Sequence, residues 1–194
     1  MADILLIRHA SHGHLGAVLS GRMPGLALSE TGRGEAQALA RWLPPLAAIQ
    51  SSPVQRARET AAAVAEVQGL AVEEAPALDE VDFGEWTGQR FDALDPDPRW
   101  RHWNEARHIA RAPGGESMAE AQARAVAHVE AVAGSHNGTV ALVSHCDIIR
   151  AVIAHYLGLG LDRLLRFDID PASVSRLAFD AWPRVASINE RPRP

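Results

Sequence analysis

The 194-residue chain contains no lysine; all 19 of its basic residues are arginine. That absence excludes a Schiff base, a pyridoxal anchor and a Walker-type phosphate loop. Any handling of phosphate must therefore fall to arginine, histidine or backbone N–H groups. There is one cysteine, Cys146, so an intramolecular disulfide and a Cys-rich zinc module are both excluded. No apolar run approaches the roughly 18 residues of a transmembrane helix. Met1-Ala2-Asp3 lacks the basic stretch and apolar run of a secretory leader, so a cytoplasmic location without a membrane partner is expected. A net charge of -5 argues against general affinity for nucleic acid. With no internal repeat, low-complexity tract or Gly/Ser linker, one domain spanning residues 1–194 is expected.

What remains alternates between two periodicities. Ile4 to Ile7 is a continuous apolar run, short enough for a buried strand. A polar loop follows from His9 to about Leu28. Ser29 then caps a helix whose apolar stripe is Ala36, Leu39, Ala40 and Leu43, and Pro44-Pro45 ends it. Leu46 to Ile49 reads as a second strand. Ser52 and Pro53 read as a cap and first helical residue, opening a helix that stops at Gly69. A weak strand is expected near Ala71 to Glu74, then an irregular stretch from Glu80 to Gly115. Ser117 and Glu120 form a capping box for a helix reaching Gly134. Thr139 to Ser144 is a strand, Asp147 to Leu157 a helix, and Ser173 to Ile188 two extended segments. Strands alternating with helices predict an α/β, three-layer sandwich around a mostly parallel sheet.

In such sheets ligands sit beyond the carboxyl ends of the strands. Two strands end alike: the first runs into Arg8-His9, the later one into His145. A third leads into Ser51-Ser52-Pro53-Val54-Gln55-Arg56, whose arginine can point back over a helix N-terminus, where an anion is already favoured. Two imidazoles and the Arg8 and Arg56 guanidiniums thus converge on one pocket. Arginine pairs bidentately with phosphate oxygens. Neutral imidazole is a good nucleophile towards phosphorus near neutral pH.

These residues resemble the histidine phosphatase superfamily, its phosphoglycerate-mutase-like branch, over nearly the whole chain. The resemblance rests on Leu6-Ile7-Arg8-His9, Gly21-Arg22, Leu28-Ser29-Glu30-Thr31-Gly32-Arg33, Ser51 to Ala57 with Thr60-Ala61, Leu78 to Gly88, Pro113 to Ser117, and Val143-Ser144-His145 with Ile149-Arg150-Ala151. It implies a phosphoglycerate-mutase-like fold and a phosphomonoester hydrolase acting on a small phosphorylated metabolite. By position, His9 would be the nucleophile that carries a phosphohistidine, and Arg8, Arg56 and His145 would hold the phosphoryl oxygens. Glu80 would be the general acid, with Asp82, Glu85 and Asp147 as alternatives nearby. No cofactor and no metal is implied; His12 and His14 form a His-x-His pair without an evident third ligand.

Three departures stand out. The family's Gly-Glu-Thr stretch with a following Asn is replaced by Ala10-Ser11-His12-Gly13-His14-Leu15, so one phosphate contact is either lost or supplied by His12 or His14. The family's glycine after the first histidine is Ala10 here, and the one after the second is Cys146. Either could demand backbone that only glycine adopts, so a non-catalytic phosphoester-binding protein stays open beside a phosphatase. A phosphoglycerate mutase is the other alternative, although the chain is short for one. The stretch at about 86–115 falls where the family places its substrate-selecting cap, so Arg99, Arg101 and His102, with Arg22, are expected to select the substrate. A positive neighbour at His145 would lower the Cys146 pKa. The apolar C-terminal segments suit either pairing in a homodimer or packing within the chain.

Overall fold

The computed structural model describes residues 2–192. Six strands form one sheet in the order β3-β2-β4-β1-β5-β6. Strands β1 (Ala2–Arg8), β2 (Ala48–Ser51), β3 (Val72–Glu74) and β4 (Gly138–Ser144) pair in parallel. The last two, β5 (Val174–Phe179) and β6 (Pro183–Glu190), run antiparallel on the far side of β1. The sheet is therefore mostly parallel with an antiparallel edge, and the short turn at residues 180–182 leaves no room for a crossover helix between β5 and β6.

Alternation along β1 explains the layers. Ile4 and Leu6 point to one face and join Val140 and Leu142 of β4 against α5 (Met118–Ser135) and α6 (Cys146–Leu157). Leu5 and Ile7 point to the other, where Ala141 and Val143 meet α1 (Glu30–Trp42) and α2 (Gln55–Gln68). A strand buried on both faces must be apolar at every position, which is why Ile4 to Ile7 shows no polar alternation. The caps follow the sequence at three ends. Ser29 accepts from the Gly32 N–H, Ser117 and Glu120 form the reciprocal box, and Gly69 takes the left-handed conformation.

Elsewhere the local signals fail. Helix α2 starts at Gln55 with Val54 as its cap residue, not at Pro53; the Ser52 hydroxyl accepts from the Val54 N–H at 3.2 Å and also contacts Asp79 and His145. Helix α6 starts one residue early, at Cys146. The expected irregular stretch holds two short helices, α3 (Phe91–Leu94) and α4 (Pro98–Glu105), the second capped by Asp97 with Pro98 in its first turn. Trp86, Trp100 and Trp103 pack edge-on, with ring centroids 5.3 Å apart for Trp86 and Trp100 and 6.1 Å for Trp86 and Trp103. All three are buried in the same core as α5 and α6. Among the described residues no helix is long and apolar enough to cross a membrane.

Candidate active site

Parallel pairing decides the geometry. Arg8 of β1 lies beside Ser144 of β4, and Ser51 of β2 beside Val143. The next residues, His9, His145 and Ser52, therefore leave three adjacent strands at one sheet edge. Backbone bonds continue the ladder there: His9 N–H donates to the Ser144 carbonyl at 2.9 Å, and Ser52 N–H to the Val143 carbonyl at 3.0 Å.

Arg56 ties the two imidazoles together. Its Nε–H donates to His9 Nε2 at 3.1 Å, and its Nη2 lies 3.1 Å from His145 Nδ1 and 2.7 Å from the Gly21 carbonyl. Arginine only donates, so both ring nitrogens must present lone pairs. The other nitrogen of His9, Nδ1, sits 2.8 Å from the Ala10 carbonyl, which only accepts, so Nδ1 carries the proton. The ring centroids of His9 and His145 are 5.1 Å apart. Burial, reinforced by the Arg56 cation, holds both histidines well below the usual imidazole range. Arg8 donates from Nη1 to the Ile169 carbonyl at 2.5 Å. Its Nε, like Nη1 of Arg56, has no acceptor among the described residues.

A cavity of about 270 Å³ opens beside these groups, lined among others by Arg8, His9, His12, Arg56, Glu80 and Asp147. Its two carboxyl groups are held in opposite states. Burial, with the Asp147 charge added, pushes Glu80 up to about 7 despite a hydrogen bond from the Val81 N–H. Burial would raise Asp147 too, but Arg107 at 3.0 Å and Arg150 at 3.6 Å overcome it and hold Asp147 below the usual carboxylate range. A pair pushed apart in this way can supply a proton from one member while the other stays ionised. Asp82 and Glu85 do not line the cavity; Asp82 caps the Gly84 N–H at 3.0 Å, and exposed Glu85 pairs with Arg99 at 3.4 Å.

His12 fills the space beside His9, with ring centroids 5.3 Å apart. Its Nδ1 accepts from the His14 N–H at 3.2 Å, and burial brings its pKa down to about 4. Among the described residues no group of three or more His, Cys, Asp or Glu could hold a metal ion. Neither Ala10 nor Cys146 takes left-handed backbone, so the two replaced glycines cost no strain; Ala10 N–H bonds the Thr60 hydroxyl at 3.0 Å. Cys146 lines the cavity as a wall residue, and burial pushes its thiol up to about 11, outweighing the nearby Arg8 cation.

The substrate-selecting arginines are placed differently from the sequence expectation. Arg99, Arg101 and His102 are exposed on the outside of α4 and do not line the cavity. The helix turns Trp100 and Trp103 inwards, which forces their neighbours outwards. Arg22 is also outside it; its Nε–H donates to the Glu80 carbonyl at 2.7 Å and its Nη2 pairs with Glu116 at 2.8 Å, so it holds the Glu80 backbone. Asn104, Arg107 and Arg150, with Phe91 and Trp100, line the cavity instead. Replacing Arg99 or Arg101 by alanine should leave kcat and KM unchanged within about twofold on any phosphomonoester, because exposed pairs contribute little. A KM rise of tenfold for an anionic substrate would return them to the site.

Asn104, Ser52 and Asp79 had no role in the sequence reading, although Ser52 and Asp79 both lie in motifs that carry the resemblance; Arg107 belongs to the stretch expected to select the substrate, and the structure places it in the cavity wall.

The geometry gathers two histidines and two arginines at the carboxyl edge of a mixed sheet; Arg8, His9 and Arg56 line the cavity, while His145 is fully buried behind Arg56 and does not line it. Residues 4–189 match the model of the histidine phosphatase superfamily, branch 1. The chain belongs to this family. It is 36% identical over 183 residues to phosphoserine phosphatase 1 of Hydrogenobacter thermophilus, covering 90% of this chain and 85% of that protein. Its fold matches that of Bacillus stearothermophilus YhfR with a TM-score of 0.86 at 27% identity, over 96% of each chain. It also matches a mycobacterial glucosyl-3-phosphoglycerate phosphatase with a TM-score of 0.85 at 26% identity, over 96% of this chain and 98% of that one.

Proposed function

We propose that the chain is a phosphomonoesterase that works through a phosphohistidine on His9. The protein is a phosphatase of the histidine phosphatase superfamily that acts on a small phosphorylated metabolite. One observation carries the finer reading. The Ala10 carbonyl fixes the His9 proton on Nδ1, so the nucleophilic lone pair is on Nε2, which attacks once the Arg56 Nε–H turns from it to a phosphoryl oxygen.

In the first step Nε2 of His9 bonds to phosphorus and the ester P–O bond breaks. The leaving oxygen takes the proton of Glu80, giving the alcohol. In the second step Glu80 removes a proton from water, the hydroxide oxygen bonds to phosphorus and the N–P bond breaks, releasing phosphate. Arg8 and Arg56 carry the charge on the non-bridging oxygens, which is most of what phosphoryl transfer requires. His12, with its free Nε2–H, serves as a further donor to the same oxygens.

Phosphate release across a panel of phosphorylated metabolites tests the activity. Brief incubation with a labelled substrate should leave acid-labile, base-stable phosphate on the protein. Rapid conversion of 3-phosphoglycerate to 2-phosphoglycerate with its bisphosphate primer, without phosphate release, would identify a mutase instead. Ligand binding without any turnover would identify a binding protein.

A further inference from the structure

Ser52 and Asp79 take no part in those steps, yet they form an unbroken chain behind His145. The Ser52 hydroxyl lies 2.9 Å from His145 Nε2 and donates to Asp79 Oδ1 at 2.6 Å, while the Val54 N–H donates to it at 3.2 Å. The polarity of this chain is fixed from the pocket end. Arg56 can only donate to Nδ1, so in the free protein the His145 proton sits on Nε2. Ser52 accepts that proton in a hydrogen bond and its own hydroxyl proton can go only to Asp79.

This arrangement does not suit a phosphoryl oxygen at Nδ1. A phosphoryl oxygen carries lone pairs, and an imidazole lone pair facing it would repel it. His145 can bind the oxygen only after the Arg56 N–H leaves Nδ1 and that nitrogen gains a proton, which makes the ring cationic. The proton comes with the phosphate O–H when the ligand enters as a monoanion, and from solvent when it enters as a dianion. The N–H bond at Nδ1 is then the only bond formed, and Ser52 keeps its proton directed at Asp79.

The surroundings oppose that charge from nearly every side. Burial is the largest obstacle, followed by Arg56 from α2, His9 and Arg8 from the end of β1, and Arg124 from α5. Of the cavity carboxylates, Asp147 is committed to Arg107 and Arg150, and Glu80 keeps its proton up to about 7. Asp79 is the carboxylate hydrogen-bonded to His145 through one hydroxyl. It lies half-buried beside a separate cleft of about 280 Å³, lined also by Arg22 and Arg58.

We propose that Asp79, acting through Ser52, is the positioning residue that lets His145 become cationic when a phosphoryl group enters; this rests on the phosphoryl pocket proposed above. The logic is that of a histidine oriented and supported by a carboxylate, with a serine interposed.

Inhibition by inorganic phosphate, measured from pH 5.5 to 9 in wild type and in Asp79→Asn, Asp79→Glu and Ser52→Ala, tests this. Asn can still accept from Ser52, so Asp79→Asn removes charge while keeping the bond. Phosphate should bind this variant about tenfold more weakly at alkaline pH and nearly as well as wild type at acidic pH. Its affinity should start to fall about one pH unit lower, since one pKa unit is a tenfold change. Ser52→Ala should show the same displacement and Asp79→Glu should restore the wild-type curve. Variant curves that parallel wild type at every pH, displaced or not, would overturn the proposal. A wild-type protein that neither binds phosphate nor releases it from any ester would instead overturn the pocket on which it rests.

Discussion

His9→Ala should lower phosphate release by about 10⁴-fold or more, because removing a covalent nucleophile leaves only the oxyanion-stabilising groups at work. The acid-labile phosphate trapped on wild type should vanish with it. His9 is buried at the junction of three strands, so loss of fold must be separated from loss of chemistry. His9→Asn does this. Its amide N–H can still donate to the Ala10 carbonyl, but it offers no nucleophilic nitrogen. Both variants should bind inorganic phosphate within a few fold of wild type if Arg8 and Arg56 remain in place. A folded His9→Asn protein that retained more than about a hundredth of the activity would point to a different nucleophile.

The second large effect concerns Glu80. A general acid contributes about 10²- to 10⁴-fold, so Glu80→Gln should cost kcat that much on an alkyl phosphate, whose leaving oxygen needs a proton. The loss in phosphoenzyme formation should be smaller on an aryl phosphate, whose leaving group departs as an anion. The pH profile gives the sharper sign. His9 is held neutral well below the usual imidazole range, so the nucleophile is ready across the whole working range. Glu80 must be protonated to donate, and burial with the Asp147 charge sets that limit at about 7. The kcat/KM of wild type should therefore fall as pH rises through about 7, and that limb should disappear in Glu80→Gln. The same shift acts on stability. A carboxyl raised in the folded state contributes stability fully below its unfolded pKa and loses it as pH rises through the folded value. The melting temperature of wild type should decline towards alkaline pH more than that of Glu80→Gln. A profile with its descending limb intact in the variant would assign the proton to another group.

Much of this site was legible along the chain because it is built at element ends. Arg8-His9 and His145 each follow an apolar run, and the runs are strands because both of their faces are buried. Arg56 was legible for a related reason, since it lies in the first turn of the helix after β2. The arginines of the cap were not. Arg99, Arg101 and Arg107 are alike in sequence, and nothing local says that the tryptophans between them turn inwards. Burial of Trp100 and Trp103 orients α4, sends Arg99 and Arg101 to solvent, and delivers Arg107, just past the helix, to Asp147. Ser52 was misread because its motif suits a helix cap; only the approach of His145 and Asp79 reveals where its hydroxyl goes.

The layers, the order of most elements and the residues at the strand ends could be read along the chain, because they follow from periodicity and from the chemistry of arginine and histidine. Protonation states and the lining of the cavity could not. Both depend on burial and on the distance between groups far apart in the chain, such as Glu80 and Asp147 or Ser52 and His145. An interior of low dielectric turns those distances into large energies that no local pattern records.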